Sequence, residues 1–360
     1  MRLLVGLVVC AAGCDAAKEI VVAASADAVV VVQDGDGPWT QLEVTDGEVR
    51  FTSTAGWFGV AWMCPPVVDG VTTYRQPPYV LFETEPEMLW DFVCSVGPPD
   101  GEYLTLSGTA PTGTQVFART IRPTEVDASE VFGLSLPRGV NDVIAYYPAE
   151  PARFLRRSID LQADTELALP IDTDGLVMPV QTPTIIGAPD DGLRLYSDVN
   201  TDNSAVYAAF EGTPPTVAVP PLAGLLATDR ATVGAQARGC TAQLPVTAED
   251  PTLIIPREMY GGVNRQIAQW NADPEIAWEG VSVHLGFGFG SVVISARQSY
   301  LDGSASPESI PIIDVTTLPG WRPELGGPTA GDAIDWYLER YRGEYDGDYN
   351  DCWISGSFTW

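Results

Sequence analysis

The chain has 360 residues, 45% of them hydrophobic: too apolar for a disordered polymer and too long for one small core. Acidic residues number 48 against 19 Lys plus Arg, a net charge of −29. Such a surface repels phosphate backbones, so no nucleic-acid partner is expected. Lys18 is the sole lysine and His284 the sole histidine. That excludes a Schiff-base lysine in the folded part, multi-histidine zinc sites and HExxH chemistry, and any serine or cysteine triad would have to use His284 as its base.

Met1-Arg2 is a short positive start, and residues 3–12 form an apolar stretch well short of the roughly 20 residues that a membrane-spanning helix needs. It fits the apolar region of a secretory signal. It ends Ala11-Ala12-Gly13-Cys14, then Asp15-Ala16-Ala17. Small residues just before a cysteine resemble the lipobox of bacterial lipoproteins, with Ala11 standing where leucine is commonest. The resemblance implies a signal peptide over 1–13, lipidation at Cys14 and a tether over 14–18. The protein would then be exported and held to a membrane of the cell envelope by its lipid. The outer membrane or cell surface is expected rather than the cytoplasm, and an oxidising compartment with it.

Of six cysteines, Cys10 falls in the signal and Cys14 takes the lipid, which leaves Cys64, Cys94, Cys240 and Cys352. An even number in an exported chain reads as two disulfides, with three pairings open. Sequence position favours Cys64 with Cys94 and Cys240 with Cys352. Each would close a long loop, worth about 3–5 kcal/mol by loop entropy.

The first unit spans 19–101. Residues 28–32 are an apolar run, Asp34-Gly35-Asp36-Gly37-Pro38 is a turn cluster, and Leu42, Val44, Val49 and Phe51 alternate around Asp46-Gly47. Residues 57–63 and 77–82 read as further strands. Thr84-Glu85-Pro86-Glu87 has capping-box spacing, and Met88, Leu89, Phe92 and Val93 share one helical face. One short helix is therefore predicted near 85–93. The stretches VVQDGDGPW and WFGVAWMC, the Thr-x-x-Glu segment and Cys94 resemble the N-terminal part of uncharacterised bacterial envelope lipoproteins, which lends no activity.

The second unit spans 102–173, with strand-like runs at 104–109, 115–118, 131–136, 142–146, 159–161 and 166–169. Its SGT opening, a strand ending in Leu136-Pro137-Arg138-Gly139, a D-x-x-A strand and a closing L-x-L resemble the carboxypeptidase-regulatory or transthyretin-like fold. That resemblance implies a small sandwich of accessory role. Leu106, Val116, Phe132, Leu134, Val143, Ile144 and Leu167 are its expected core, and the turn at 137–139 is expected to join two antiparallel strands.

The third unit spans 180–360. Residues 192–196, 205–210, 216–219, 252–255, 281–289 and 291–296 read as strands. Segments 334–341 and 353–360 could pair as a hairpin; Ile334, Tyr337, Leu338 and Tyr341 also fit a helix stripe after Asp332, and strand is preferred because aromatic residues and all-β neighbours weigh that way. The expected fold class is thus all-β: tandem β-sandwich domains with the one short helix near residues 85–93.

Few constellations carry chemistry. Asp198, Asn200 and Asp202 alternate like the start of a calcium loop, and Asp346, Asp348 and Asn350 form a second such cluster. Polar turns have the same composition, so calcium is the only cofactor considered, and otherwise none is expected. Gly286-Phe287-Gly288-Phe289-Gly290 lacks nucleotide-loop spacing. Trp321, Trp336, Trp353 and Trp360 could stack on sugars, but most tryptophans in sandwiches simply fill cores. The reading is a non-enzymatic envelope lipoprotein that binds a protein or carbohydrate ligand or gives structural support. Two alternatives stand beside it: a hydrolase using two carboxylates, and a calcium-dependent carbohydrate binder. A pocket holding two close acids, one with a strongly raised pKa, would favour the hydrolase.

Overall fold

The computed structural model describes residues 17–69, 72–74, 76–85, 92, 94, 103–118, 123–187, 192–201, 207–288, 290–343 and 349–360. Cys14, Asp202, Asp346, Asp348 and most of the helix predicted near 85–93 lie outside them. Strands dominate, and the described residues include only two α-helices, Ile171–Asp174 and Gln298–Gly303. No helix among them is long and apolar enough to cross a membrane.

One twelve-stranded sheet organises the molecule. Its strands in chain order are β1 (Val29–Asp34), β2 (Thr40–Leu42), β3 (Phe58–Met63), β4 (Tyr79–Glu83), β5 (Arg194–Asn200), β6 (Tyr207–Gly212), β7 (Arg230–Ala237), β8 (Cys240–Pro245), β9 (Gly280–Phe287), β10 (Gly290–Arg297), β11 (Ala333–Arg342) and β12 (Tyr349–Thr359). Across the sheet they lie in the order β6-β5-β7-β8-β12-β11-β9-β10-β4-β3-β1-β2. Every pairing is antiparallel except β10 with β4, where Val293 to Ala296 run beside Tyr79 to Phe82. The sheet therefore passes from the third unit into the first without a break in backbone hydrogen bonding.

Period-two alternation assigns the two faces. On one face Val31, Met63, Val80, Ile294, Val283, Leu338, Cys352, Ala242, Val233 and Leu195 join one continuous core, which Trp270, Leu253, Ile310 and Leu325 cover. The opposite face of β1, β3 and β4 carries Val30, Val60, Trp62 and Leu81. These pack with Ile20, Val22, Val49 and Phe92 of the first unit. Burial on both faces explains the unbroken apolar runs at 29–32 and 58–63. Asp46 (φ 55°) and Gly47 (φ 79°) form the expected tight turn. Its flanks diverge, however: β2 pairs with β1, while Glu48–Ser53 pairs with Lys18–Ala23.

The central unit is a two-sheet sandwich, a five-stranded sheet over a three-stranded one. Leu106, Val116, Phe132, Leu134, Val143 and Ile144 are buried as expected, and Leu167 is half-buried. The turn at 137–139 departs from expectation. Val131–Pro137 pairs with Tyr103–Thr109, whereas Gly139–Tyr147 pairs with Arg153–Leu161 in the other sheet. Gly139 (φ 109°) turns the chain sharply, and the Asn141 amide donates to the carbonyls of Pro137 and Gly139. The two strands stack because Phe132, Leu134 and Val143 must face one another across the core. Gly108, from the SGT opening, is required by contact: a Cβ there would lie 1.8 Å from the Leu167 carbonyl oxygen.

The sandwich docks on β5 and β6, where Phe117, Ile144, Tyr146 and Phe154 meet Val199, Ala208 and Phe210. Beside that contact, buried Arg156 pairs with Asp142 at 2.7 Å and with Asp229 of the segment leading into β7. The expected hairpin is present, with β11 antiparallel to β12 from the Ala333/Thr359 pair to the Arg342/Asn350 pair.

Candidate functional site

The two halves of the sheet treat their second face differently. Over β6-β5-β7-β8-β12-β11 that face carries Glu211, Tyr196, Gln236, Thr241, Asp351, Tyr349, Glu339 and Tyr337, which line a trough of about 840 Å³. Six strands at normal spacing extend roughly 24 Å, so the trough crosses much of this half of the sheet.

Its floor is built by the hairpin and by β8. Thr241 lies opposite Asp351 in the β8–β12 ladder, and Tyr341 lies opposite Asp351 in the β11–β12 ladder. Glu339 is two positions from Tyr341 along β11, so its carboxyl shares a face with that of Asp351. The Tyr349 hydroxyl donates to Glu339 Oε1 at 2.7 Å. Asp351 is only 9% exposed, and its Oδ1 accepts no hydrogen bond among the described residues. Burial, opposed by the Thr241 hydroxyl and reinforced by Glu339, pushes the Asp351 carboxyl up to about 7. Burial likewise raises Glu339, against the pull of the Tyr349 hydrogen bond. Burial and both carboxyls hold the Tyr349 phenol far above its usual range, so it remains a neutral donor. Near neutral pH the floor thus exchanges a proton, and Asp351 can donate a hydrogen bond or accept one.

Both disulfides expected from the sequence are present, and one of them pins this floor. Cys64 bridges Cys94 with Cα atoms 5.4 Å apart, and Cys240 bridges Cys352 at 4.0 Å. The second pair sits directly opposite in the β8–β12 ladder, where Trp353 N–H donates to the Gly239 carbonyl one step away. That is the closely spaced, non-hydrogen-bonded position of an antiparallel pair. The bridge lies on the core face, immediately beneath Thr241 and Asp351.

The other residues singled out from sequence are dispersed. Asp198 and Asn200 lie on strand β5 rather than in a loop, about 6.6 Å apart along an extended chain. The Asp198 carboxylate accepts from the Thr232 hydroxyl. Asn350 is buried on the core side, its amide directed at the carbonyls of Thr241 and Ile254. No group of three or more His, Cys, Asp or Glu among the described residues is arranged to hold a metal. Trp321 donates to the Gly326 carbonyl, and Trp360 is buried under Arg265. Trp353 alone of the four stands on the trough face, stacked on Tyr337 at 5.7 Å. His284 is exposed and meets Tyr337 edge-on, outside the trough lining.

Glu339 and Asp351 were not singled out from the sequence. Asp351 was visible only as the end of an Asx-rich turn cluster, and Glu339 as one acid among many. The signal lies in the hairpin register, which alone puts Glu339 and Asp351 on one face with Tyr337, Tyr341 and Tyr349. No family model matches the sequence, and no curated protein is similar enough to count as a relative.

Proposed function

We propose that this chain is a lipid-anchored cell-envelope protein that works by binding rather than by turnover, with the trough as its ligand site. The observation that carries the reading is the buried, half-satisfied Asp351 at the floor of a cavity of ligand size. An unpaired buried carboxyl oxygen costs folding free energy unless water or a ligand completes it, and this one faces a cavity. Two disulfides accord with an oxidising compartment, and the Ala-Ala-Gly-Cys14 junction supplies the anchor. The central sandwich then acts as an accessory module, as its resemblance to carboxypeptidase-regulatory domains implies.

One observation favours a second reading. Two adjacent carboxyls with raised pKa values are what a hydrolase needs for an acid and a base. The two readings separate in one experiment. Purified protein is incubated with glycoside, ester and peptide panels, and the same compounds are screened for thermal stabilisation. Stabilisation without turnover, lost in Asp351→Asn, is the expected result. Turnover that disappears in Asp351→Asn or Glu339→Gln, with folding intact, would establish the hydrolase instead. Anchoring is checked separately: Cys14→Ser should release the protein from the membrane fraction, and retention there would contradict a lipid anchor.

A further inference from the structure

The trough floor has acids on it and, among the described residues, lacks a counter-charge. Asp351 faces Thr241 and Glu339, and Glu339 faces Tyr349; none of these carries positive charge. Arg194 and Glu211, one of each sign, stand exposed at the rim on β5 and β6. When both floor carboxyls ionise, a buried pair of like charges results, and that is unfavourable without a cation.

The missing cation can be narrowed by coordination chemistry. A calcium ion takes six to eight oxygen ligands, usually with several carboxylates. Among the described residues no third His, Cys, Asp or Glu joins this pair. A primary ammonium group needs only three acceptors, and it also gains from the face of an aromatic ring. Tyr196, Tyr337 and Tyr349 line the same trough. The net charge of −29 also concentrates organic cations at the surface.

We propose that the trough recognises a primary ammonium group, which docks between the carboxyls of Asp351 and Glu339 beside a tyrosine ring and supplies the hydrogen bond that Asp351 Oδ1 lacks. The proposal rests on the reading of the trough as a ligand site and specifies its ligand. Binding requires the ionised carboxyl, so each docking event releases protons from the pair. With Asp351 titrating at about 7, its ionised fraction rises about tenfold from pH 6 to pH 8, and affinity for the amine rises with it.

The test is isothermal titration of the disulfide-bonded mature protein with 1,5-diaminopentane, 1,5-pentanediol, calcium chloride and neutral disaccharides. The diamine should bind about tenfold tighter at pH 8 than at pH 6, with heats that depend on buffer ionisation enthalpy. The diol should not bind. Asp351→Asn, nearly the same shape, should weaken diamine binding at least tenfold, and Glu166→Gln on the central sandwich should leave it unchanged. Diamine binding that ignores pH and Asp351→Asn overturns the proposal, as does its absence at both pH values. Asp351-dependent binding of a disaccharide or of calcium without the diamine removes the ammonium assignment and leaves the ligand site standing. If nothing in the panel binds, both fall.

Discussion

At the scale of single residues, Asp351 trades stability for chemistry. Its carboxyl titrates at about 7 in the fold, against 3.8 when unperturbed. A carboxyl whose pKa is raised on folding favours the folded state most when protonated. Its stabilising contribution is therefore complete below about pH 4 and is lost as pH rises through 7. Asp351→Asn keeps the shape and removes the titration. The variant should equal or trail the wild type at pH 4 and exceed it at pH 8, by at most about 4 kcal/mol for a three-unit shift. Urea unfolding at the two pH values measures this, and a gap that does not widen with pH would contradict the burial described. None of this was legible from composition. With 48 acids any pair can be imagined, and only the register of β11 against β12 selects Glu339 and Asp351.

At the scale of elements, sequence pattern proved a good guide to strands and a poor one to partners. Segment 334–341 fits a helix stripe as well as a strand, and its aromatic residues tip the reading toward the hairpin that forms, because they suit a half-buried pleat. The turns at 46–47 and 137–139 were equally visible, yet neither joins neighbours in one sheet. Turn chemistry fixes a reversal of the chain. Whether the two strands then pair or stack depends on which faces must be buried, a tertiary matter that short patterns do not encode. The Arg156 cluster is of the same kind. Its side chain is 8% exposed and joins Asp142 of the sandwich to Asp229 ahead of β7. Arg156→Ala would take the shared guanidinium from two buried carboxyls and should cost about 3–5 kcal/mol. Equilibrium unfolding that shows less than about 1 kcal/mol of loss would mean the cluster is solvated. Arg156→Met, which keeps the bulk and removes the same guanidinium, should cost a similar amount.

At the scale of the whole molecule, the decisive feature is the junction of β10 with β4. It adds the first unit at one edge of the third unit's sheet, and β4 in turn pairs with β3. A fragment covering 180–360 would expose the β10 edge and uncover the core residues that Val31, Met63, Val80 and Phe82 now cover. Such edges promote aggregation. The fragment should fail to give a monomeric, cooperatively unfolding species, and a stable monomer by ultracentrifugation would show that the junction is dispensable. Parallel pairing across more than 200 residues leaves no local trace, which is why chain order alone suggested tandem units. The function proposed for this assembly rests on the protonation of one pair of side chains at its trough. Carboxyl carbon NMR of the labelled protein, titrated from pH 3 to pH 9, reads that protonation directly. Asp351 should show a midpoint near 7, with Glu339 also above the usual carboxylate range. Midpoints near 4 for both would mean a solvated surface and no prepared site.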